Sequence, residues 1–266
     1  MCSLFLFPSL FAQKLDTLSL HSSYTLTAKA RQIYADHLGQ FYLITQKNEL
    51  IKYSPQGKEL FRYSDLRYGR LTYVDVSNPM QLLLFYGDFN YLVQLERTLT
   101  GSGFLNLQEL GYPIVSAVAS AADGNIWLFD DFNSRLIKVD RRGKKLLESA
   151  SIPLLLGRRP EINYLKESGE KIYALEEGKL QVFDLFGQWI REIRLPAKEM
   201  QFVNLHTDRI LFGNGQKLTI QSLTDPMNLR ERYLPPGLPE FRQIALTKEH
   251  FFILTSKEVK AYGYGK

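Results

Sequence analysis

The sequence predicts an all-β chain, a six-bladed propeller closed by its N-terminal strand pairing with the last blade. Three observations carry this expectation. One apolar strand, turn, strand pattern recurs six times along the 266 residues. Two independent sets of anchor residues keep step through all six copies. The last copy stops one strand short, while an unmatched strand pattern lies ahead of the first.

The copies run in order as FYLITQKNELIKYSPQGKEL from Phe41, LLLFYGDFNYLVQL from Leu82, IWLFDDFNSRLIKVDRRGKK from Ile126, KIYALEEGKLQVFDLFGQWI from Lys171, RILFGNGQKLTIQSL from Arg209 and FFILTSKEVKAYGY from Phe251. Each joins two apolar runs through a short polar turn, the pattern of paired strands. Taking Tyr42, Leu84, Trp127, Tyr173, Leu211 and Phe252 as equivalent gives intervals of 42, 43, 46, 38 and 41 residues. Leu50, Leu92, Leu136, Leu180, Leu218 and Val259 give 42, 44, 44, 38 and 41. A period of about 40 to 50 residues with several strands per copy is that of propeller blades.

Each copy reads as four strands, which in the third are VSAVAS, NIWLFD, SRLIKVD and KKLLESA. The innermost strand is expected to be small and apolar where six spokes crowd an axis, and the outermost to carry charge. The sixth copy has FRQIALT, FFILTS and VKAYGYG and then ends. The segment DTLSLHSSYTLT supplies the missing outer strand and would remove an exposed sheet edge. Helix signals are weak throughout; AKEMQ near residue 199 could form a single turn.

Residues 1–12, MCSLFLFPSLFA, form an uncharged apolar run ending in a small residue, as a secretory signal peptide does. Residues 13–266 would then be one exported propeller domain. The sole cysteine, Cys2, falls in the segment to be removed, so the mature chain would have no disulfide. That suits a periplasmic or secreted protein of a Gram-negative envelope, stabilised by its size alone. No other run is long enough for a membrane span. The 33 lysines and arginines against 28 acids are scattered rather than striped, which argues against nucleic acid as a partner.

GNIWLFDDFNSRLIKVDRRG from Gly124 matches the pattern G-x-(I/L)-(W/Y)-V-x-D-x-x-N-x-R-(I/V)-x-x-(F/Y)-D-x-x-G, and EKIYALEEGKLQVFDLFG from Glu170 matches it less fully. In these stretches the chain resembles six-bladed propellers of the NHL-repeat type. LGYPIVSAVASAADGNIWLFDDFNSRLIKVD more loosely resembles exported propellers of Bacteroidetes, such as the plug-type subunit of the type 9 secretion translocon. The resemblance implies the fold and leaves the function to be read from the site.

Chemistry on such a ring belongs at its axis or on its loops. His21, His37, His206 and His250 are spread along the chain, with His21 on the closing strand and the others beside turns, so they are not expected to share an ion. The axial carboxylates and amides, Asp75, Glu161, Asn163, Asn204 and Glu240, do not align into one shell. No G-x-S-x-G or phosphate loop occurs. Neither a catalytic set, a metal nor a cofactor is therefore expected, although a funnel-based hydrolase or lactonase is the rival reading. The tripeptide RQI occurs in register in blades 1 and 6, which brings Arg31 and Arg242 near the axis as a candidate anion site for a small-ligand sensor.

The loops divide by face. First and third turns, such as DHLGQ, SPQGK and DRRGK, are polar. Second turns and the crossings between blades, such as FYGDFN, DDFNS, LQELGYPIV, IPLLLGRRPE and YLPPGLPEF, are rich in aromatics, leucine and proline. Tyr112, Leu154, Leu155, Arg158, Arg159, Tyr233 and Leu238 are therefore the candidate contacts for another envelope protein, for instance an outer-membrane channel component.

Overall fold

The computed structural model describes residues 19–26, 28–195, 202–206, 209–213, 217–225, 229–234, 241–247 and 250–263; for Ser19, residues 202–204, His206 and Arg242 only the backbone is described. The proposed signal peptide, the AKEMQ turn, Glu240 and Leu238 lie outside these residues, as do the side chains of Asn204, His206 and Arg242.

Among the described residues, twenty-four strands form six antiparallel four-stranded sheets. Blade 1 is β2 (Ala30–Ala35), β3 (Phe41–Thr45), β4 (Leu50–Tyr53) and β5 (Glu59–Tyr63). Blade 2 is β6 (Leu71–Asp75), β7 (Gln81–Tyr86), β8 (Tyr91–Glu96) and β9 (Gly101–Asn106). Blade 3 is β10 (Val115–Ser120), β11 (Ile126–Asp130), β12 (Arg135–Val139) and β13 (Lys145–Glu148). A one-turn helix, α1 (Ile152–Leu156), lies in the crossing to blade 4, with Ser151 before it and left-handed Gly157 after it.

Blade 4 is β14 (Tyr164–Ser168), β15 (Lys171–Glu176), β16 (Lys179–Asp184) and β17 (Trp189–Arg194). Blade 5 is β18 (Phe202–His206), β19 (Arg209–Gly213), β20 (Lys217–Ser222) and β21 (Leu229–Tyr233). Blade 6 is β22 (Phe241–Leu246), β23 (His250–Thr255) and β24 (Glu258–Gly263), completed from the other end of the chain by β1 (Ser19–Thr25). β1 pairs antiparallel with β24, from Ser19 opposite Gly263 to Thr25 opposite Glu258. The closure expected from the two ragged ends is present.

The core lies between the blades. Six hydrophobic clusters each join two consecutive blades; Tyr42, Ile44 and Leu50 of blade 1 pack with Leu84 and Val93 of blade 2, while Phe41 and Leu43 pack on the other side with Phe252 and Leu254 of blade 6. A middle strand thus buries both faces, so β3 and β11 are buried at every position. Such strands read as continuous apolar runs, and only outer strands such as β5 and β13 are largely exposed.

The third turns show why the D-x-x-G signature recurs. Asp140 Oδ1 accepts the N–H groups of Arg142 at 2.8 Å and Lys144 at 2.9 Å, and Gly143 follows at φ 87°. Asp184 does the same for Phe186 and Gln188, and Ser54 takes that role in blade 1. A short acceptor side chain closes the turn, and glycine takes the left-handed position at no steric cost.

Candidate functional site

The innermost strands enclose an axial cavity of about 670 Å³ to which all six blades contribute, through Gln32, Thr72, Ser116, Tyr164, Leu205 and Gln243 in turn. Its walls are not uniformly small, contrary to expectation. Three tyrosines meet edge to face: Tyr34 and Tyr73 have ring centroids 5.7 Å apart at 80°, and Tyr73 and Tyr164 5.6 Å apart at 87°. The Tyr73 and Tyr164 hydroxyls lie close to each other, and the Tyr34 hydroxyl lies near the Val74 N–H. Burial pushes all three phenols well above their ordinary pKa, so they are neutral at pH 7.

Beside them, Asp75 and Lys166 link blades 2, 3 and 4. Lys166 Nζ lies 3.7 Å from Asp75 Oδ1 and also donates to Ser77 Oγ. Asp75 Oδ1 accepts the Ser77 N–H at 2.8 Å and the Ser77 hydroxyl, and Oδ2 accepts the Ser120 N–H at 2.8 Å. Burial pushes the Asp75 carboxyl up, but the Lys166 charge and these hydrogen bonds outweigh it and hold its pKa below the ordinary value. Asp36, which also lines the cavity, accepts from the Tyr42 hydroxyl at 2.8 Å and from the N–H groups of Leu38 and Gln40; burial nevertheless raises its pKa.

Arg31 departs from its expected axial position, while the Arg242 side chain lies outside the described residues. Arg31 and Arg242 each sit at a β-bulge, where the register slips between Ala30 and Gln32 and between Phe241 and Gln243. In blade 1 the bulge re-aims the side chain of Arg31. Arg31 turns into the seam between blades 1 and 2, donating to Thr45 O at 3.3 Å, to Asn48 Oδ1 at 3.1 Å and to Leu71 O. Of the RQI residues, Gln32 and Gln243 line the cavity. Of the axial carboxylates and amides, Asp75 and Asn163 line the cavity, whereas exposed Glu161 does not.

The histidines are placed differently from expectation in one respect. His21 on the closing strand and His250 at the start of β23 have ring centroids 4.8 Å apart, because closure brings the two chain ends together. His37 is exposed and lines the cavity mouth on the first-turn side. Among the described residues no group of three or more His, Cys, Asp or Glu could hold a metal ion, and no helix is long and apolar enough to cross a membrane.

The crossing face carries a band of exposed apolar side chains over blades 2 to 4. Leu66 is 70% exposed, Phe132 60% and Leu154 85%, and Phe89, Ile114 and Leu155 are exposed beside them. Their loops are bolted together. Asn90 Nδ2 donates to Tyr112 O at 2.7 Å, Asp131 N–H to Ile114 O at 2.9 Å and Ile152 N–H to Ser134 O at 3.1 Å.

Of the contacts expected from the loops, Leu154 and Leu155 belong to this band. Tyr112 does not: it is 8% exposed and packs in the core between blades 2 and 3. Arg158 is half-buried in a two-pronged ion pair with Glu176, 2.7 Å from Nη1 to Oε2, with Glu192 3.5 Å away. Arg159 holds Asp131, 3.2 Å to Oδ2. Both arginines thus brace the loops, although Arg159 remains exposed. Tyr233 ends the outer strand β21 at the rim. Phe89 and Phe132 were visible in the second turns FYGDFN and DDFNS, but nothing local distinguished an exposed ring there from a capping one.

No family model matches the sequence, and no curated protein matches it. Solved structures do match in shape. The WD40 domain of Neurospora crassa Pan2 superposes with a TM-score of 0.63 at 10% identity over 95% of this chain and 99% of that one. Virginiamycin B lyase from Staphylococcus aureus gives 0.64 at 11% over 92% and 99%, and BamB from Moraxella catarrhalis 0.55 at 9% over 93% and 98%. At such identities the likeness establishes the fold, and the chain is a six-bladed β-propeller.

Proposed function

We propose that this chain is a non-enzymatic, exported propeller of the cell envelope that holds another envelope protein, such as an outer-membrane channel or secretion component, on its crossing face. The observation that carries the reading is the band from Leu66 through Phe89, Ile114 and Phe132 to Leu154 and Leu155, exposed on loops that are themselves hydrogen-bonded one to the next, the first through Arg70 N–H to Asp88 Oδ2 at 3.1 Å. Exposed apolar groups on a preorganised backbone lose little entropy on binding, which is what a contact surface requires. The apolar start of the chain supports export, and the loose resemblance to exported propellers supports the envelope setting.

A non-enzymatic role is favoured because the ionised groups at the axis are engaged with one another. Asp75 holds Lys166, Ser77 and Ser120, and Asp36 holds Tyr42 and its own turn.

The test compares the parent with Phe132→Asp/Leu154→Asp in pull-downs from mildly solubilised native envelopes. Both positions are exposed, so the variant should melt with the parent. It should lose a partner that the parent recovers in stoichiometric amount, each hot spot being worth about 2 kcal/mol. Equal recovery by the two proteins, or recovery of nothing by the parent, sinks the reading.

A further inference from the structure

We infer that the axial cavity is a binding site for a neutral carbohydrate of one to three rings, a site separate from the crossing face. Its volume of about 670 Å³ lies inside the roughly 300–1,000 Å³ of small-molecule sites. What it would hold follows from which of its polar groups are already paired.

The charged groups are paired. Lys166 and Asp75 face each other, and the Asp75 oxygens also accept from Ser77 and Ser120. Both oxygens of Asp36 accept hydrogen bonds from within blade 1. A charged guest would have to break one of these buried sets, and an uncompensated buried charge is costly. The neutral groups are the ones left over. Gln243 Oε1 accepts the Ile33 N–H at 2.9 Å, and among the described residues its NH2 has no protein partner. The Asn163 amide, exposed to solvent at the crossing end of the cavity, likewise has none, and among the described residues Gln32 has only a 3.5 Å contact from Arg31.

Gln32 lies on blade 1, Gln243 on blade 6 and Asn163 just ahead of blade 4, so they line the cavity from different sides. Each can donate and accept, as a hydroxyl-bearing guest requires. The tyrosines supply the other half of sugar recognition. A pyranose presents a face of C–H groups beside its hydroxyls, and aromatic faces carry the negative lobe of the ring quadrupole, so a C–H face packs against them. Tyr73 meets both Tyr34 and Tyr164 at nearly a right angle, which brings three such rings to the cavity with phenols that stay neutral. Rings, uncharged amides and hydroxyls around an internally balanced ion pair make a neutral polyhydroxylated molecule the complementary guest.

The experiment titrates the full chain calorimetrically with cellobiose, maltotriose and N,N′-diacetylchitobiose, and with glucuronic acid as the charged comparison. At least one neutral saccharide is expected to bind one to one, and more tightly than glucuronic acid. Asn163→Ala and Gln32→Ala should each weaken that binding by roughly fivefold or more, the worth of a lost hydrogen bond, with an unchanged melting temperature. Phe132→Asp/Leu154→Asp should leave it intact. The inference is overturned if none of the three saccharides binds, if glucuronic acid binds as tightly, or if both amide variants bind like the parent.

Discussion

Asp75 has two partners besides its own turn, and they come from different blades. Ser120 belongs to blade 3 and Lys166 to blade 4, so one buried carboxylate ties three spokes at the axis. Replacing it by asparagine keeps the shape, removes the partner of Lys166 and sets an NH2 against a backbone N–H. Asp75→Asn should destabilise by about 3 kcal/mol, as breaking a buried ion pair does. The pH dependence has a definite sign. The folded pKa lies below the unfolded value of about 3.9, so this stabilisation is complete above that value and is lost as pH falls through the folded pKa. Urea midpoints measured from about pH 6 to pH 2 should fall less steeply for the variant than for the parent. Equal slopes would mean that Lys166 contributes nothing to the pair.

The closing strand is the element on which the ring depends. β1 is held by its ladder to β24 and also by Tyr24, which reaches out of blade 6 into blade 1. The Tyr24 hydroxyl donates to Pro55 O at 2.9 Å, and its ring lies over Gly57, where an added Cβ would come within 2.1 Å of it. Gly57 also has φ 79°, a conformation that costs an L-residue roughly 1–2 kcal/mol. Gly57→Ala should therefore destabilise by about 3 kcal/mol, the backbone cost plus displacement of the ring. A cycle with Tyr24→Ala separates the two. In the Tyr24→Ala background only the backbone part should remain, and additivity of the two changes would show that the ring does not press on the turn.

At the scale of the molecule, the clusters between blades make the ring cooperative. Among the described residues, each blade buries one face of its sheet against the blade before it and the other against the blade after it. Losing one seam exposes two blades. Deleting residues 14–28 removes β1, takes Tyr24 and Leu26 from the cluster between blades 6 and 1, and opens the edge of β24. An unpaired edge of that kind is an aggregation site. The truncated chain should aggregate, or unfold over a broadened range well below the parent, in calorimetry and size-exclusion chromatography. A single sharp transition at the parent temperature would show that the ring closes without its N-terminal strand.

Much of this architecture is legible in the sequence because its causes are local. Apolar runs such as FYLIT and IWLFD, with Asp, Asn and Gly at the turns, specify strand and turn one blade at a time, and the 38 to 46 residue spacing repeats the unit. The missing outer strand of the last copy and the orphan strand at the start fix the number of blades and the manner of closure, because a sheet edge must be covered. The axis is another matter. RQI at Arg31 and Arg242 gives no sign of the bulge that sends Arg31 into a seam and leaves Gln32 and Gln243 at the cavity. Tyr34, Tyr73 and Tyr164 are 39 and 91 residues apart in the chain and meet only because the ring brings blades 1, 2 and 4 to one line. Tyr112 and Leu154 occupy similar loops, yet one is core and the other solvent. Periodicity fixes which residues form a blade; what a side chain meets at the axis or above the blades depends on the neighbouring blade, and only the closed ring decides that.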